Sequence, residues 1–424
     1  MACRPCHDPV TVSQQVAPMQ SFQIIGATAL LPDRLARTSV LVEGGRVAAL
    51  DAASDAPVID ASGLILAPAL VDIHGDAFER QLMPRPGVVF PLDAALFETD
   101  RQLAGNGIAT AFHALTLSWE PGLRSLDMAA QVIRGLARLA PRLAAENRVQ
   151  LRWETFCPEA LPLIAEAIAG PLTPSIAFND HTSMAALHPN TPLQTRPFEQ
   201  DPTFPVADLT APGFAAKMAD RAKRAGLSIP DYVALFQARW DRRADVPATI
   251  AQVAAMGRQA GLAMLSHDDS QPQTRAHFRA LGAKISEFPM NRATALAARK
   301  AGDWIVFGAP NAARGTSHLG SPGAGEMIRA GLCDILASDY VYPAMLAAMA
   351  RLRAEGLALE TLWPLIAANP ARASGLTDRG TITQGARADL VLLDWPEGET
   401  PRPVMTLRAG RIVHLASSDL LPQR

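Results

Sequence analysis

Lysine is almost missing from this chain. Of its 39 basic residues only Lys217, Lys223, Lys284 and Lys300 are lysine, so chemistry that needs an amine has few places to occur. Cysteine is as scarce. Cys3, Cys6, Cys157 and Cys333 are too few and too scattered for a disulfide framework, which makes a reducing cytoplasm the expected setting. Neither sign of charge dominates: 39 basic against 41 acidic residues leave a net charge of −2. A sequence-independent nucleic-acid surface needs an excess of cations and is excluded. The longest apolar stretch, Leu64 to Ile73, is interrupted by Pro68 and Asp72 and falls far short of the ~20 residues of a membrane helix. The first twenty residues have no basic start followed by an apolar block, so no secretory signal is expected. Cys3-Arg-Pro-Cys6-His7 has the spacing of a covalent haem site, but such haem attachment requires export, and nothing upstream of Cys3 directs it.

What the chain does have is apolar sequence in two patterns. Apolar residues make up 49% and charged ones 19% of 424 residues, enough for a sizeable core. Residues 22–66 read as short strands, with Gly44-Gly45 turning a hairpin. Residues 388–394 and 404–414 have the same character. Strand-rich ends around a different middle predict one small β-sandwich domain, 22–66 plus 380–415, preceded by a disordered tail, 1–21. In the middle, apolar runs stand at 68–74, 108–114, 149–154, 175–180, 262–267, 284–288, 304–309 and 333–338, separated by stretches of helical spacing such as 126–139 and 345–356. Eight such runs predict an α/β fold, a (β/α)8 TIM barrel over 67–379; an open doubly wound sheet suits the number less well. The stretch from 188 to about 250 carries five prolines between Pro192 and Pro212 and reads as an insertion with a helix at 214–225 that borders the site.

In a barrel of this kind the chemistry gathers at the C-terminal ends of the strands. The first run ends in His74-Gly75-Asp76, the third in Arg152-Trp153-Glu154 and the fourth in Asn179-Asp180-His181; the fifth ends in His267-Asp268-Asp269, and Asp339 follows the eighth. A lone histidine after a strand is ordinarily a surface or core residue, as expected for His7, His113, His188, His277 and His414, and an Asp-rich turn is ordinarily a helix cap. Five strand ends together are another matter. Acids and imidazoles crowded at one mouth repel or lose their charge unless a cation neutralises them. This predicts a divalent-metal site of His74, Asp76, Glu154, His181, His267 and Asp339, with two ions (zinc, manganese or iron) bridged by a carboxylate. No lysine stands at a strand exit, so a carbamylated lysine is not available as the bridge and Glu154 takes that role. After the seventh run, Gly308-Ala-Pro-Asn-Ala-Ala-Arg-Gly-Thr-Ser-His-Leu-Gly320 offers close backbone approach and the donors Asn311, Arg314, Ser317 and His318, at a position where barrels often bind phosphate. Arg80 and Arg85 add positive charge just past the first motif.

Pro68-Ala-Leu-Val-Asp-Ile-His-Gly-Asp76, Asn369-Pro-Ala-Arg-Ala-Ser-Gly-Leu376 and the stretch 380–394 resemble the amidohydrolase superfamily. More narrowly, Leu265-Ser-His-Asp-Asp269, Ser286-Glu-Phe-Pro289, the glycine loop at 308–320 and Asp334-Ile-Leu-Ala-Ser-Asp-Tyr340 resemble the alpha-D-ribose 1-methylphosphonate 5-triphosphate diphosphatase family. The resemblance runs from about 22 to 415. It implies a metal-dependent barrel hydrolase of phosphonate metabolism that cuts a triphosphate and releases diphosphate. Asp339 would be the catalytic base, and Arg85, Asn311, Arg314, Ser317 and His318 would hold the substrate. The expected partner is a phosphorylated small molecule, with no nucleic acid or membrane, and a homo-oligomer is left open. The resemblance also implies ligand histidines after the fifth and sixth strands, whereas His181 and His267 follow the fourth and fifth runs. Either a strand lies inside 188–250 or one of the two histidines is not a ligand. Two other readings stand beside this one: a metal-dependent hydrolase of C–N bonds (deacetylase, deaminase or cyclic amidase), and a catalytically inert barrel acting as a scaffold.

Overall fold

The eight apolar runs become the eight strands of one parallel sheet. The computed structural model describes residues 21–316, 320 and 322–422. Its barrel strands are β1 (Leu70–Gly75), β2 (Ile108–Leu117), β3 (Glu146–Glu154), β4 (Ser175–Asn179), β5 (Met264–His267), β6 (Ile285–Glu287), β7 (Trp304–Gly308) and β8 (Ile335–Ala337). Each pairs in parallel with the next in sequence. Every residue of β1, β2, β4, β5, β6 and β8 is buried, as strands covered on both faces must be. Val71, Ile73, Phe112, Leu265, Ile285, Val306 and Ile335 fill the barrel interior.

The ring closes between β8 and β1 through residues just past the short β8. Gly75 and Asp339 form a parallel bridge. Asp76 N–H donates to the Asp339 carbonyl and Asp339 N–H to that of His74, both at 2.9 Å. Beneath them the fully buried Asp72 carboxylate accepts Ser338 N–H at 3.0 Å, Ser338 Oγ–H at 2.5 Å and His74 N–H at 3.3 Å. No side chain fits at Gly75, where a Cβ would lie 2.6 Å from Asp72 Oδ2 and 2.9 Å from Ser338 Oγ.

Both chain ends build the remaining sheets. Four strands run in the order Arg46–Leu50, Val40–Glu43, Phe22–Ile25, Val58–Asp60, and six in the order Arg411–Leu415, Arg402–Arg408, Leu390–Asp394, Ile65–Pro68, Thr28–Leu30, Leu35–Arg37. Gly44 and Gly45, both at positive φ, turn the expected hairpin between the first two. Ile24, Val42, Val47, Ile59, Leu66, Leu390 and Met405 share one core between the sheets, which makes the pair a sandwich. Residues 1–20, including the haem-like spacing, lie outside the described residues.

The insertion carries the helices Pro212–Ala225, Ile229–Trp240 and Val246–Gln259 and, among the described residues, no strand. The counted order therefore stands: His181 follows the fourth strand and His267 the fifth. No helix among the described residues is long and apolar enough to cross a membrane.

Asp72 is the common acceptor of the seam, and removing it strands buried donors. Asp72→Ala should lower the unfolding free energy by about 3 kcal/mol, read as a fall in the thermal midpoint; an unchanged midpoint would show that the seam does not depend on it.

Candidate metal centre at the barrel mouth

Strand geometry delivers the side chains. His74, Glu154 and His267 are among the last residues of β1, β3 and β5, and Glu287 is the last of β6. Three residues just beyond strands turn back sharply: Asp268, Phe288 and Asp339 take φ of 58°, 54° and 55°. This left-handed conformation costs a non-glycine residue about 1–2 kcal/mol. The strain gathers at the exits of β5, β6 and β8, around the mouth.

The hub of the cluster is Glu287, which is wholly buried. Its Oε2 accepts His267 Nδ1–H at 2.8 Å, and His74 Nδ1 lies 3.0 Å from its Oε1, out of hydrogen-bond alignment. Gln150 Nε2 donates to Oε1 at 2.8 Å and to the Ile73 carbonyl at 3.0 Å. Burial alone would raise the Glu287 pKa, but the two imidazoles outweigh it and hold the carboxyl well below its usual range. His74 feels the converse: burial disfavours its charged form, yet Glu287 raises its pKa overall. The His74 and His267 rings stack with centroids 5.4 Å apart, Phe288 packs edge-on against both, and His181 meets His267 at 5.6 Å.

Around this hub the ligand atoms of His74, Asp76 and Asp339 lie within 4.8 Å of one another, as do those of His181, His267 and Asp268. Both histidines that the strand count left in question thus reach the mouth, although no strand lies inside 188–250 among the described residues. Burial pushes the Asp339 carboxyl up to about 6, with His74 opposing and Asp76 adding to the rise. Gly308 gives it room: a Cβ there would lie 3.2 Å from Asp339 Oδ2. Glu154 turns to His181, its Oε1 2.5 Å from Nδ1 and its Oε2 accepting the backbone N–H at 3.1 Å. Burial would raise its pKa; the His181 contact overrides this and brings it to about 2. Asp180, by contrast, caps the helix His181–Ala186 by accepting from Ser183.

Arg152 also enters the cluster. One guanidinium nitrogen lies 3.3 Å from Asp76 Oδ2, another donates to His267 Nε2 at 3.3 Å, and Asn179, with its amide oriented to accept, takes Nε–H at 2.7 Å. Neither Arg152 nor Glu287 was singled out in the sequence. The signal for Arg152 was the two-residue period that puts it on the same face as Glu154; for Glu287 it was its place as the last residue of an apolar run.

The expected substrate contacts are more dispersed. Asn311 and Arg314 lie on the six-residue helix Ala309–Arg314 after β7. Asn311 is half-buried, with no partner for its Oδ1, and Arg314 is exposed, as is Arg85. Ser317 and His318 lie outside the described residues. Arg80 reaches across to the Tyr340 carbonyl. His113 is a core residue, its Nε2 2.7 Å from Asn147 Oδ1.

The sequence profile of the amidohydrolase family matches residues 190–414, more than half of the chain. Alpha-D-ribose 1-methylphosphonate 5-triphosphate diphosphatase of Escherichia coli (strain K12) is 29% identical over 371 residues, covering 86% of this chain and 92% of that protein. An adenosine deaminase from Xanthomonas campestris, crystallised with bound zinc, shares the fold with a TM-score of 0.59 over 93% of both chains at 14% identity. A beta-aspartyl dipeptidase from Fervidobacterium islandicum AW-1 does so with 0.57, over 96% of this chain and 99% of that one, at 15% identity. With the closed parallel barrel and its ring of acids and imidazoles in view, the profile match makes the chain a member of the amidohydrolase family and hence a hydrolase.

Proposed function

We propose that the protein hydrolyses alpha-D-ribose 1-methylphosphonate 5-triphosphate, releasing diphosphate and leaving a 5-phosphate on the sugar. The observation that carries this reading is the convergence of His74, Asp76, His181, His267 and Asp339 on one mouth, in a chain similar over 86% of its length to a diphosphatase of that substrate.

The donor set fits divalent cations. Imidazoles and carboxylates suit zinc, manganese or iron, and the ligand atoms of His74, Asp76 and Asp339 stand within 4.8 Å of one another, as do those of His181, His267 and Asp268. His74, Asp76 and Asp339 would hold one ion and His181 and His267 a second, with Glu154, which stands against His181, as the further carboxylate at the second. When bound, the ions supply Lewis acidity, lowering the pKa of water from ~15.7 towards ~7 and drawing charge from the phosphoryl oxygens. Glu287 acts through the histidines. By accepting Nδ1–H of His267 it fixes the tautomer whose Nε2 lone pair faces the mouth. Asp339 accepts the proton of the attacking water. The new O–P bond forms at the phosphorus nearest the sugar, the anhydride P–O bond breaks, and its electron pair leaves with diphosphate. Arg85, Asn311, Arg314, Ser317 and His318 are assigned to the departing diphosphate, whose charge grows as the bond breaks.

Phosphorus NMR of metal-loaded protein with the full substrate should show diphosphate and a sugar 5-phosphate. Cleavage of cyclic amides or N-acyl compounds instead would overturn the reading in favour of a C–N hydrolase. Asp339→Asn should lower kcat by about 10²–10⁴-fold with most of the metal retained in elemental analysis; near-normal turnover would remove Asp339 as the base. Glu287→Gln should weaken metal binding by about 10–100-fold in competition with a chelator, and an unaltered affinity would reduce Glu287 to a packing residue.

A further inference from the structure

The guanidinium group of Arg152 is a cation at the mouth that the mechanism above does not use. It is buried and touches both ligand groups. In the first group it meets Asp76 Oδ2 at 3.3 Å. In the second it donates to His267 Nε2 at 3.3 Å, the nitrogen left with a lone pair because Nδ1–H is given to Glu287. Asp268 Oδ2 lies 3.5 Å from that same nitrogen. Asn179 anchors the guanidinium by accepting its Nε–H at 2.7 Å.

These two contacts are not equivalent towards a metal ion. A carboxylate offers about four lone-pair sites on its oxygens, so Asp76 can keep Arg152 on one and coordinate an ion with another. A neutral imidazole has a single acceptor nitrogen. His267 Nε2 can take a hydrogen bond from Arg152 or bind an ion, and cannot do both. An ion at the group of His74, Asp76 and Asp339 therefore leaves Arg152 in place. An ion at the group of His181, His267 and Asp268 has to displace the Arg152 N–H from His267 first. Losing that charge-assisted bond costs about ten- to a hundredfold in affinity. A guanidinium keeps its proton, so its repulsion of the arriving ion remains as well.

We propose that Arg152 competes with a metal ion for His267 and so makes the two ion positions unequal, one ion held tightly by His74, Asp76 and Asp339 and a second held weakly at His181 and His267. The proposal rests on the metal-centre reading above. It adds the order in which the ions bind and the residue that sets that order. When metal is scarce, the centre then carries one ion and one guanidinium, and the second ion comes and goes with supply.

The test is a calorimetric titration of metal-free, full-length protein with zinc. Wild type should bind two ions in separate steps, with dissociation constants about tenfold or more apart. Arg152→Met should narrow that gap by about tenfold. Removing the charge favours both steps, and only loss of the bond to His267 acts on one alone, so the gap is the readout. Uptake of one ion by wild type and of two by Arg152→Met is the extreme form of the same result. Arg80→Met removes another guanidinium at the mouth, one that bonds the Tyr340 carbonyl, and should leave the gap as it was. Two equal steps in wild type overturn the proposal, as do an unchanged gap in Arg152→Met, a single ion in both proteins, or equal narrowing by Arg80→Met. Should Arg152→Met fail to fold, Arg152→Gln, whose amide can still donate to Asn179, must narrow the gap in the same direction. Wild type that takes up no zinc would refute the metal centre itself, whereas two equal steps would spare that reading and refute this one alone.

Discussion

A buried carboxylate held between two imidazoles is the constraint on which the mouth of this barrel depends. Glu287 cannot reach water, so its charge is tolerated only because His74 and His267 stand against it and Gln150 donates to it. In return it fixes which nitrogen of His267 faces outward. The same low-dielectric setting that makes an unpaired acid costly makes a paired one rigid. Phe288 packs against both rings, so their freedom to turn is removed by contact on one side and by charge on the other.

The second constraint is topological. A three-residue β8 is too short to close the ring by itself, and the closure falls to Ser338 and Asp339 just beyond it. Asp339 is thereby fixed by its backbone to His74 and Asp76, the residues its side chain must work beside. Its left-handed φ is the cost of that position. Asp72 beneath, saturated with three donors, holds the seam from the inside.

Much of this could be read in the sequence because burial on both faces leaves a plain mark. The eight continuous apolar runs are the eight strands, and their count placed His181 and His267 correctly even against the expectation drawn from resemblance. The terminal hairpins were equally plain from Gly44-Gly45 and the alternating residues around them. Charge pairing across the barrel was not legible. Glu287 reads as one acid at the end of a short run until β1 and β5 bring their histidines to it, and Arg152 reads as an ordinary basic residue until Asp76 and Asn179 close around it. Arg85 and Arg314 show the opposite limit, since a basic residue near a motif need not be buried in the site the motif builds.

Asp339 latches the ring, and as the proton acceptor of the proposed reaction it would tie chemical competence to complete folding. A chain whose barrel has not yet shut, with β8 still apart from β1, lacks the acid beside His74 and Asp76. Partly assembled molecules would therefore be inert rather than indiscriminate hydrolases, and the reaction would become available only in the finished ring.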